Sequence, residues 1–93
     1  MNMAPQKLEK SASQYATDAI KYDSQGAHGM AITHYQKASE SLLKLMRLYP
    51  DSKLNKIYAV RMKSYQDRIK ALQTTQFADV EPVVDPAASP EGQ

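Results

Sequence analysis

The sequence contains no cysteine, no tryptophan and a single phenylalanine. Without cysteine, neither a disulfide bond nor a thiolate metal site can stabilise a small fold. The hydrophobic core must therefore be built from aliphatic side chains and the six tyrosines. At 93 residues the chain is long enough for one such core and too short for two, so we expect a single domain.

The sequence also lacks a long apolar run. No stretch approaches the roughly 20 apolar residues that cross a bilayer, and the N-terminus does not have the basic and then apolar layout of a signal peptide. These absences predict a cytoplasmic protein.

Charge is divided unevenly along the chain. Residues 1–74 hold all twelve basic side chains and six acidic ones, a net charge of +6, whereas residues 75–93 carry four acidic side chains and no base. A basic body attracts an acidic partner, which can be nucleic acid, a membrane surface or a peptide. The charge alone does not choose among these three.

Apolar residues recur at steps of three and four in three successive segments, which is the period of an amphipathic helix. Proline and glycine separate the segments: Pro5 suits a first helical turn, Gly26 closes the first helix and Pro50 ends the second. The three seams are Leu8, Ala12, Tyr15, Ala19 and Tyr22; then Ala31, Tyr35, Ala38, Leu42, Leu45 and Tyr49; then Leu54, Tyr58, Met62, Tyr65, Ile69 and Leu72.

Three such helices joined by short turns can bury their seams only against one another. The predicted fold is therefore all-α, an antiparallel up-down-up three-helix bundle over residues 6–74. Residues 75–93 contain three prolines at four-residue intervals and no helical period. We expect this segment to be a disordered acidic linker or tail.

Catalytic and metal-binding patterns are missing. His28 and His34 are six residues apart without a nearby carboxylate triad, and the three glycines form no phosphate-binding loop. We predict no catalytic residue, no metal and no cofactor. Helix three is basic all round, but its tyrosines occupy seam positions instead of offering stacking platforms, which argues against nucleic acid.

Two stretches resemble a known family. The segment GAHGMAITHYQKASESLLKLMRLY sets small residues at the intervals G-x4-A-x3-Y-x2-A, and YQDRIKAL ends the third helix. Tetratricopeptide repeats share the first pattern but recur every ~34 residues, and no second copy is present here. Together the two stretches resemble the MIT (microtubule-interacting and transport) domain of vacuolar-sorting AAA ATPases, and the Tyr49-Pro50 turn resembles its archaeal members.

The resemblance implies a non-catalytic adaptor that binds C-terminal tails of ESCRT-III-type filament proteins and brings a AAA ATPase to them, for membrane remodelling or cell division. In that family helical tails lie between helices two and three, and extended proline-rich tails lie between helices one and three. Gln66 and Lys70 stand where the family has Leu and Glu, so the resemblance favours the extended mode here.

Helical geometry gives candidate residues for that mode. Positions opposite Gln66 on helix three would face small and aliphatic positions on helix one, forming a channel with arginines at its rim that suits an extended peptide alternating proline, aliphatic and acidic residues. The candidate peptide-binding residues are Ala12, Ala16, Ile20, Ile57, Arg61, Ser64 and Arg68.

Partner predictions follow from this channel. We expect acidic, proline-rich extended peptides, no nucleic acid, and membranes only indirectly. Residues 80–86, VEPVVDP, have the same composition as the expected ligand, so a weak self-contact through this tail is a further hypothesis. The alternatives are a basic helical domain that binds nucleic acid or anionic membrane, a lone tetratricopeptide-like element, and a helical dimerisation element attached to an enzyme.

Overall fold

Three helices make up the computed structural model, which describes the backbone of residues 5–80 and the side chains of residues 5–74. They are α1 (Pro5–Ser24), α2 (His28–Leu48) and α3 (Asn55–Val80). The predicted three-helix architecture is confirmed. None of the described helices is long and apolar enough to cross a membrane.

The turn between α1 and α2 is closed by Gly26, whose φ of 79° is in the left-handed region that glycine adopts without steric cost. Its N–H donates to the Asp23 carbonyl at 3.1 Å, and the N–H of Ala27 donates to the Tyr22 carbonyl at 2.9 Å. This pair of hydrogen bonds is a Schellman motif. The sharp reversal that follows places α2 antiparallel to α1.

The turn between α2 and α3 contains Pro50, as predicted. Asn55 holds it together by donating from Nδ2 to the carbonyl oxygens of Tyr49 at 2.9 Å and Pro50 at 3.2 Å. Ser52 Oγ accepts a hydrogen bond from the Leu54 N–H at 3.1 Å, which stabilises the turn directly before α3.

The core consists of aliphatic residues and tyrosines, as the composition requires. One cluster at the α2–α3 turn contains Leu8, Ala12, Leu42, Leu45 and Tyr58. A second cluster at the opposite end contains Ala19, Ala31, Tyr35, Ile69 and Leu72. Tyr65 packs against both clusters.

Two boundaries differ from the sequence prediction. Leu54 precedes α3 and is 45% exposed, so the third seam begins at Tyr58. At the other end α3 continues to Val80, six residues beyond the predicted boundary at 74. Residues 75–80 contain neither proline nor glycine, and the first helix-breaking residue is Pro82, which also disfavours helix at Glu81. The expected disorder of the proline-rich tail concerns residues outside those described.

Candidate functional site

α2 packs against both other helices, but α1 and α3 do not approach each other closely. Within residues 5–80, no Cα atom of α1 is within 8 Å of a Cα atom of α3. Helices in direct contact have axes about 8–10 Å apart, and many of their Cα atoms are then within about 8 Å of each other. A channel therefore runs between α1 and α3, and we call it the α1/α3 groove.

Small side chains lie at the α1 side of the groove. Ala12 is 5% exposed and Ala16 is 8% exposed, which makes them buried floor rather than rim. Ala16 shares a helical face with Asp23, seven residues further on, and Asp23 contacts α3. The floor is therefore apolar and shallow, because alanine projects only a methyl group.

Aliphatic side chains rise on both sides of this floor. Ile20 of α1 is 59% exposed and Ile57 of α3 is 48% exposed. Ile20 is three residues from Asp23 on α1, and Ile57 is four residues from Arg61 on α3. Each isoleucine therefore shares a helical face with a residue on the side of the opposite helix. Two large apolar side chains thus remain available to solvent along the channel.

A three-residue bridge joins the helices at one end of the groove. Arg68 donates from Nε to Asp23 Oδ2 and from Nη2 to Oδ1, both at 2.7 Å, and the Tyr35 hydroxyl donates to Oδ2 at 3.0 Å. The hydrogen bonds from Arg68 lower the pKa of the Asp23 carboxyl below its ordinary value, against an opposing effect of burial. Burial, together with the Asp23 carboxylate, raises the pKa of Tyr35 to about 12.

A second bridge lies at the other end. Glu9 of α1 accepts a hydrogen bond at Oε2 from the hydroxyl of Tyr58 on α3. Burial, and then this carboxylate, raises the pKa of Tyr58 to about 12. The bridges are fourteen residues apart on α1 and ten on α3, so the channel between them is roughly 15–20 Å long at 1.5 Å per helical residue.

Between the bridges α3 presents Arg61 and Ser64, both exposed. They share a face with Arg68 through steps of three and four residues. No hydrogen bond or ion pair engages Arg61 within the described part of the chain. Its positive charge acts to lower the pKa of the Tyr58 hydroxyl, against the larger opposing effects of burial and Glu9. Arg61 is therefore one of the cations available to a ligand.

The seven candidate residues divide into three groups. Ala12 and Ala16 are buried, Ile20 and Ile57 are large apolar residues exposed to solvent, and Arg61 and Ser64 are exposed on α3 between Tyr58 and Arg68. Arg68 differs from the expectation of a rim arginine awaiting a ligand carboxylate, because Asp23 already engages two of its nitrogens. Sequence reasoning missed both bridges, since Asp23 and Arg68 are 45 residues apart and neither belongs to an apolar seam.

A different groove, between α2 and α3, contains a cavity of about 670 Å³. Most of the residues that line it are polar or charged, including Gln36, Glu40, Gln66 and Lys70, and Ile69 adds an apolar side chain. Ser39 also lines it, and its buried Oγ has no hydrogen-bond partner among the described residues. The two residues that depart from the family pattern therefore do lie in this groove, where they make its surface polar.

An end pocket of about 550 Å³ lies beside the α2–α3 turn. Its apolar lining comprises Pro5, Leu45, Leu48, Tyr49, Pro50, Leu54 and Tyr58. The charged side chains that line it, Glu9 and Asp51, are both acidic. Glu9 and Tyr58 also form the bridge at this end of the α1/α3 groove, so the two features are continuous.

The histidines occupy separate surroundings. The His34 ring contacts the rings of Tyr15 and Tyr22, with centroids 6.3 and 4.9 Å away, and its Nδ1 is 2.8 Å from the Met30 carbonyl oxygen. Within the described residues, no group of three or more His, Cys, Asp or Glu side chains could hold a metal ion.

Comparison with known proteins places these features in context. The sequence model of the MIT (microtubule interacting and transport) domain family matches residues 9–74. The chain is also 45% identical over 51 residues to the Cell division protein C of Sulfolobus acidocaldarius. That match covers 55% of this chain and 14% of the relative, so the chain corresponds to a small part of the relative's length.

Proposed function

Since the chain belongs to the MIT domain family, whose members are non-catalytic protein-interaction modules, we propose that it is an adaptor that binds extended peptides in its α1/α3 groove. The observation that carries the proposal is the groove itself: a channel with an alanine floor, two exposed isoleucine walls and an unengaged arginine, bounded by a bridge at each end.

The length of the channel sets the size of the peptide that it can hold. An extended peptide advances ~3.3 Å per residue. A channel of roughly 15–20 Å therefore accommodates five or six extended residues. Proline in the ligand reduces the conformational entropy lost on binding.

The charges favour an acidic ligand. Arg61 lies exposed in the channel and can donate to a ligand carboxylate, and charge-assisted hydrogen bonds of this kind are stronger than neutral ones. The proposed ligands are thus acidic, proline-rich C-terminal tails of ESCRT-III-type filament subunits. The family and the relative named for cell division support this choice.

We assign the adaptor a role in recruitment. In this proposal the chain is the recognition module of a longer cytoplasmic protein, a AAA ATPase, which it delivers to a filament during cell division or another membrane-remodelling event. The coding sequence beyond residue 93 tests this assignment directly. Walker motifs there would support it, and a different following domain would contradict it.

Peptide titration tests the groove. The probe is the peptide Val-Glu-Pro-Val-Val-Asp-Pro, titrated against the full chain and against Ile20→Asp. Because Ile20 is 59% exposed, the substitution leaves the core intact and places a like charge beside the acidic peptide. We expect binding to weaken at least tenfold, with unchanged helicity by circular dichroism.

Val60→Asp is the matched control, since Val60 is 70% exposed and lies roughly 160° around α3 from Tyr58, on the outer surface of the helix. It changes net charge equally and should bind the peptide within twofold of wild type. Equal losses in the two variants would show a general charge effect and contradict the groove. Tighter binding of a DNA duplex or of anionic vesicles than of the peptide would instead favour the alternative basic-domain function.

A further inference from the structure

The end pocket is an apolar cavity that the α1/α3 groove does not use, although it opens at the groove's end. Its volume of about 550 Å³ lies within the 300–1,000 Å³ typical of ligand-binding pockets. Leu45 and Tyr58 form a buried floor, while Leu48 and Leu54 are 48% and 45% exposed. Two half-exposed leucines thus flank the pocket from opposite sides of the α2–α3 turn.

We propose that the end pocket anchors a bulky apolar side chain, followed or preceded by a basic residue, in the same extended tail that occupies the α1/α3 groove. This inference rests on the proposed function. The groove and the pocket are continuous, which allows one peptide to occupy both. Glu9 and Tyr58 border both features, so a chain leaving the groove past this bridge enters the pocket.

The charges around the pocket support a basic residue next to the apolar anchor. Both charged side chains that line the pocket are carboxylates, Glu9 and Asp51, whereas the groove presents the cation Arg61. The electrostatic preference therefore reverses along the binding path. A tail that is acidic at Arg61 should be apolar and basic at the pocket, because like charges opposite Asp51 would be repelled.

The helix geometry gives the spacing between the two ligand elements. Arg61 is six residues from the first residue of α3, Asn55, about 9 Å at 1.5 Å per residue, and Leu54 directly precedes that helix. An extended peptide crosses this distance in about three residues at ~3.3 Å each. The apolar anchor should therefore lie about three residues from the acidic residue that meets Arg61.

Extended probes test the anchor. The parent peptide Val-Glu-Pro-Val-Val-Asp-Pro is lengthened by Lys-Leu-Gly at its amino end or by Gly-Leu-Lys at its carboxyl end, each of which sets Leu three residues from a carboxylate. We expect one of the two extensions to tighten binding about tenfold, in line with burial of one leucine side chain. The same extension with Ser in place of Leu should show no gain.

Two protein variants locate the gain. Leu54→Ser and Leu48→Ser change half-exposed side chains, so both should fold, and both should bind the parent peptide as wild type does. Each should lose most of the gain from the extension, whereas Val60→Ser should keep it. No gain from either extension, or a gain that persists in both leucine variants, overturns the proposal.

The two proposals fail separately. If the parent peptide does not bind but an extended probe binds through Leu48 and Leu54, the end pocket stands and the groove proposal is wrong. A gain seen only after deletion of residues 1–4 would show that this segment fills the pocket, which overturns the inference. Sedimentation showing a dimer that Leu54→Ser dissolves would assign the pocket to a second copy and overturn it equally.

Discussion

Asp23 accepts hydrogen bonds from two other helices, through Tyr35 of α2 and Arg68 of α3. Its side chain is only 13% exposed, whereas that of Arg68 is 49% exposed. Removing the carboxylate leaves a cation and a buried tyrosine hydroxyl without their partner. Such a loss costs more than the loss of an exposed ion pair such as Lys63–Asp67, which lies on the outer surface of α3.

We predict that Asp23→Asn lowers the free energy of unfolding at neutral pH by about 1 kcal/mol, a figure discounted for the exposure of Arg68. Asp67→Asn, the control, should change it by less than about 0.5 kcal/mol. Urea denaturation monitored by circular dichroism measures both. Equal effects of the two substitutions would show that the bridge adds no more than a surface ion pair.

The pH dependence of the same variants gives a second measurement. The folded pKa of Asp23 is below its unfolded value, which for Asp is about 3.9, so the unfolded chain binds more protons between the two. The stability from the bridge is therefore present above pH ~4 and is lost as the pH falls through the folded pKa. Asp23→Asn should flatten this acid decline, and an unchanged acid profile would contradict it.

At the scale of the helices, the apolar period predicted the number and order of the elements because the seams are long and regular. The turns were predictable for a separate reason, since Gly26 and Pro50 impose backbone constraints that no neighbouring residue overrides. Leu54 was assigned wrongly because an isolated leucine at the right spacing fits the period whether or not its backbone is helical. The true start of α3 depends on Ser52 and Asn55.

Part of the candidate site was also within reach of the sequence. Helical spacing predicts that Ile57, Arg61, Ser64 and Arg68 share one flank of α3 opposite Gln66, and the structure shows Arg68 in contact with α1 and Gln66 at the α2/α3 cavity. Helical spacing could not show that Arg68 is engaged, because a pair between charged residues 45 positions apart leaves no periodic pattern. The sequence could not predict the end pocket either, because this pocket depends on how the α2–α3 turn meets the start of α1.

The α2/α3 groove yields a prediction at this scale. Gln66 and Lys70 line its cavity, so a helical peptide rich in leucine and basic residues meets a polar wall and a like charge. We predict that Gln66→Leu combined with Lys70→Glu tightens binding of such a peptide by about tenfold, through one apolar contact and one attractive charge pair.

Isothermal titration of wild type and double variant with the same amphipathic peptide makes the comparison. Lys56→Glu serves as the control, since it reverses a charge on the exposed surface of α3 outside the cavity. The affinity of this control for the peptide should stay close to that of wild type. An equal gain from the control, or no gain from the double variant, would show that these two residues do not limit that mode of binding.

At the scale of the whole molecule, the length of α3 restricts what the acidic tail can reach. Arg61 precedes Val80 by nineteen residues, about 28 Å of helix. Asp85 follows Val80 by five residues, at most about 18 Å even fully extended. A contact between Asp85 and Arg61 of one molecule would need the segment after Val80 to reverse direction and run fully extended, with both side chains spanning the remaining ~10 Å. Residues 80–86 lie almost wholly outside the described part of the chain, and this geometry favours a self-contact with a second copy.

This restriction turns the self-contact hypothesis into a prediction about concentration. We expect the full chain to associate weakly, so that amide chemical shifts in α1 and α3 move as the protein concentration rises. A chain ending at Val80 should show no such movement, because it lacks the proline-rich segment. Shifts that differ between the two chains but do not depend on concentration would contradict the intermolecular contact.

The separation of α1 from α3 also bears on how the molecule folds. Where Cα atoms of different helices lie within 8 Å of each other, the two helices are successive, α1 with α2 or α2 with α3. Such a topology has a low contact order, and helical proteins of this kind fold in microseconds to milliseconds. Among the described residues, the longest loops are closed by contacts between side chains, including the hydrogen bonds of Glu9 with Tyr58 and of Asp23 with Arg68. Those contacts should form late, so weakening them should speed unfolding and leave the folding rate nearly unchanged.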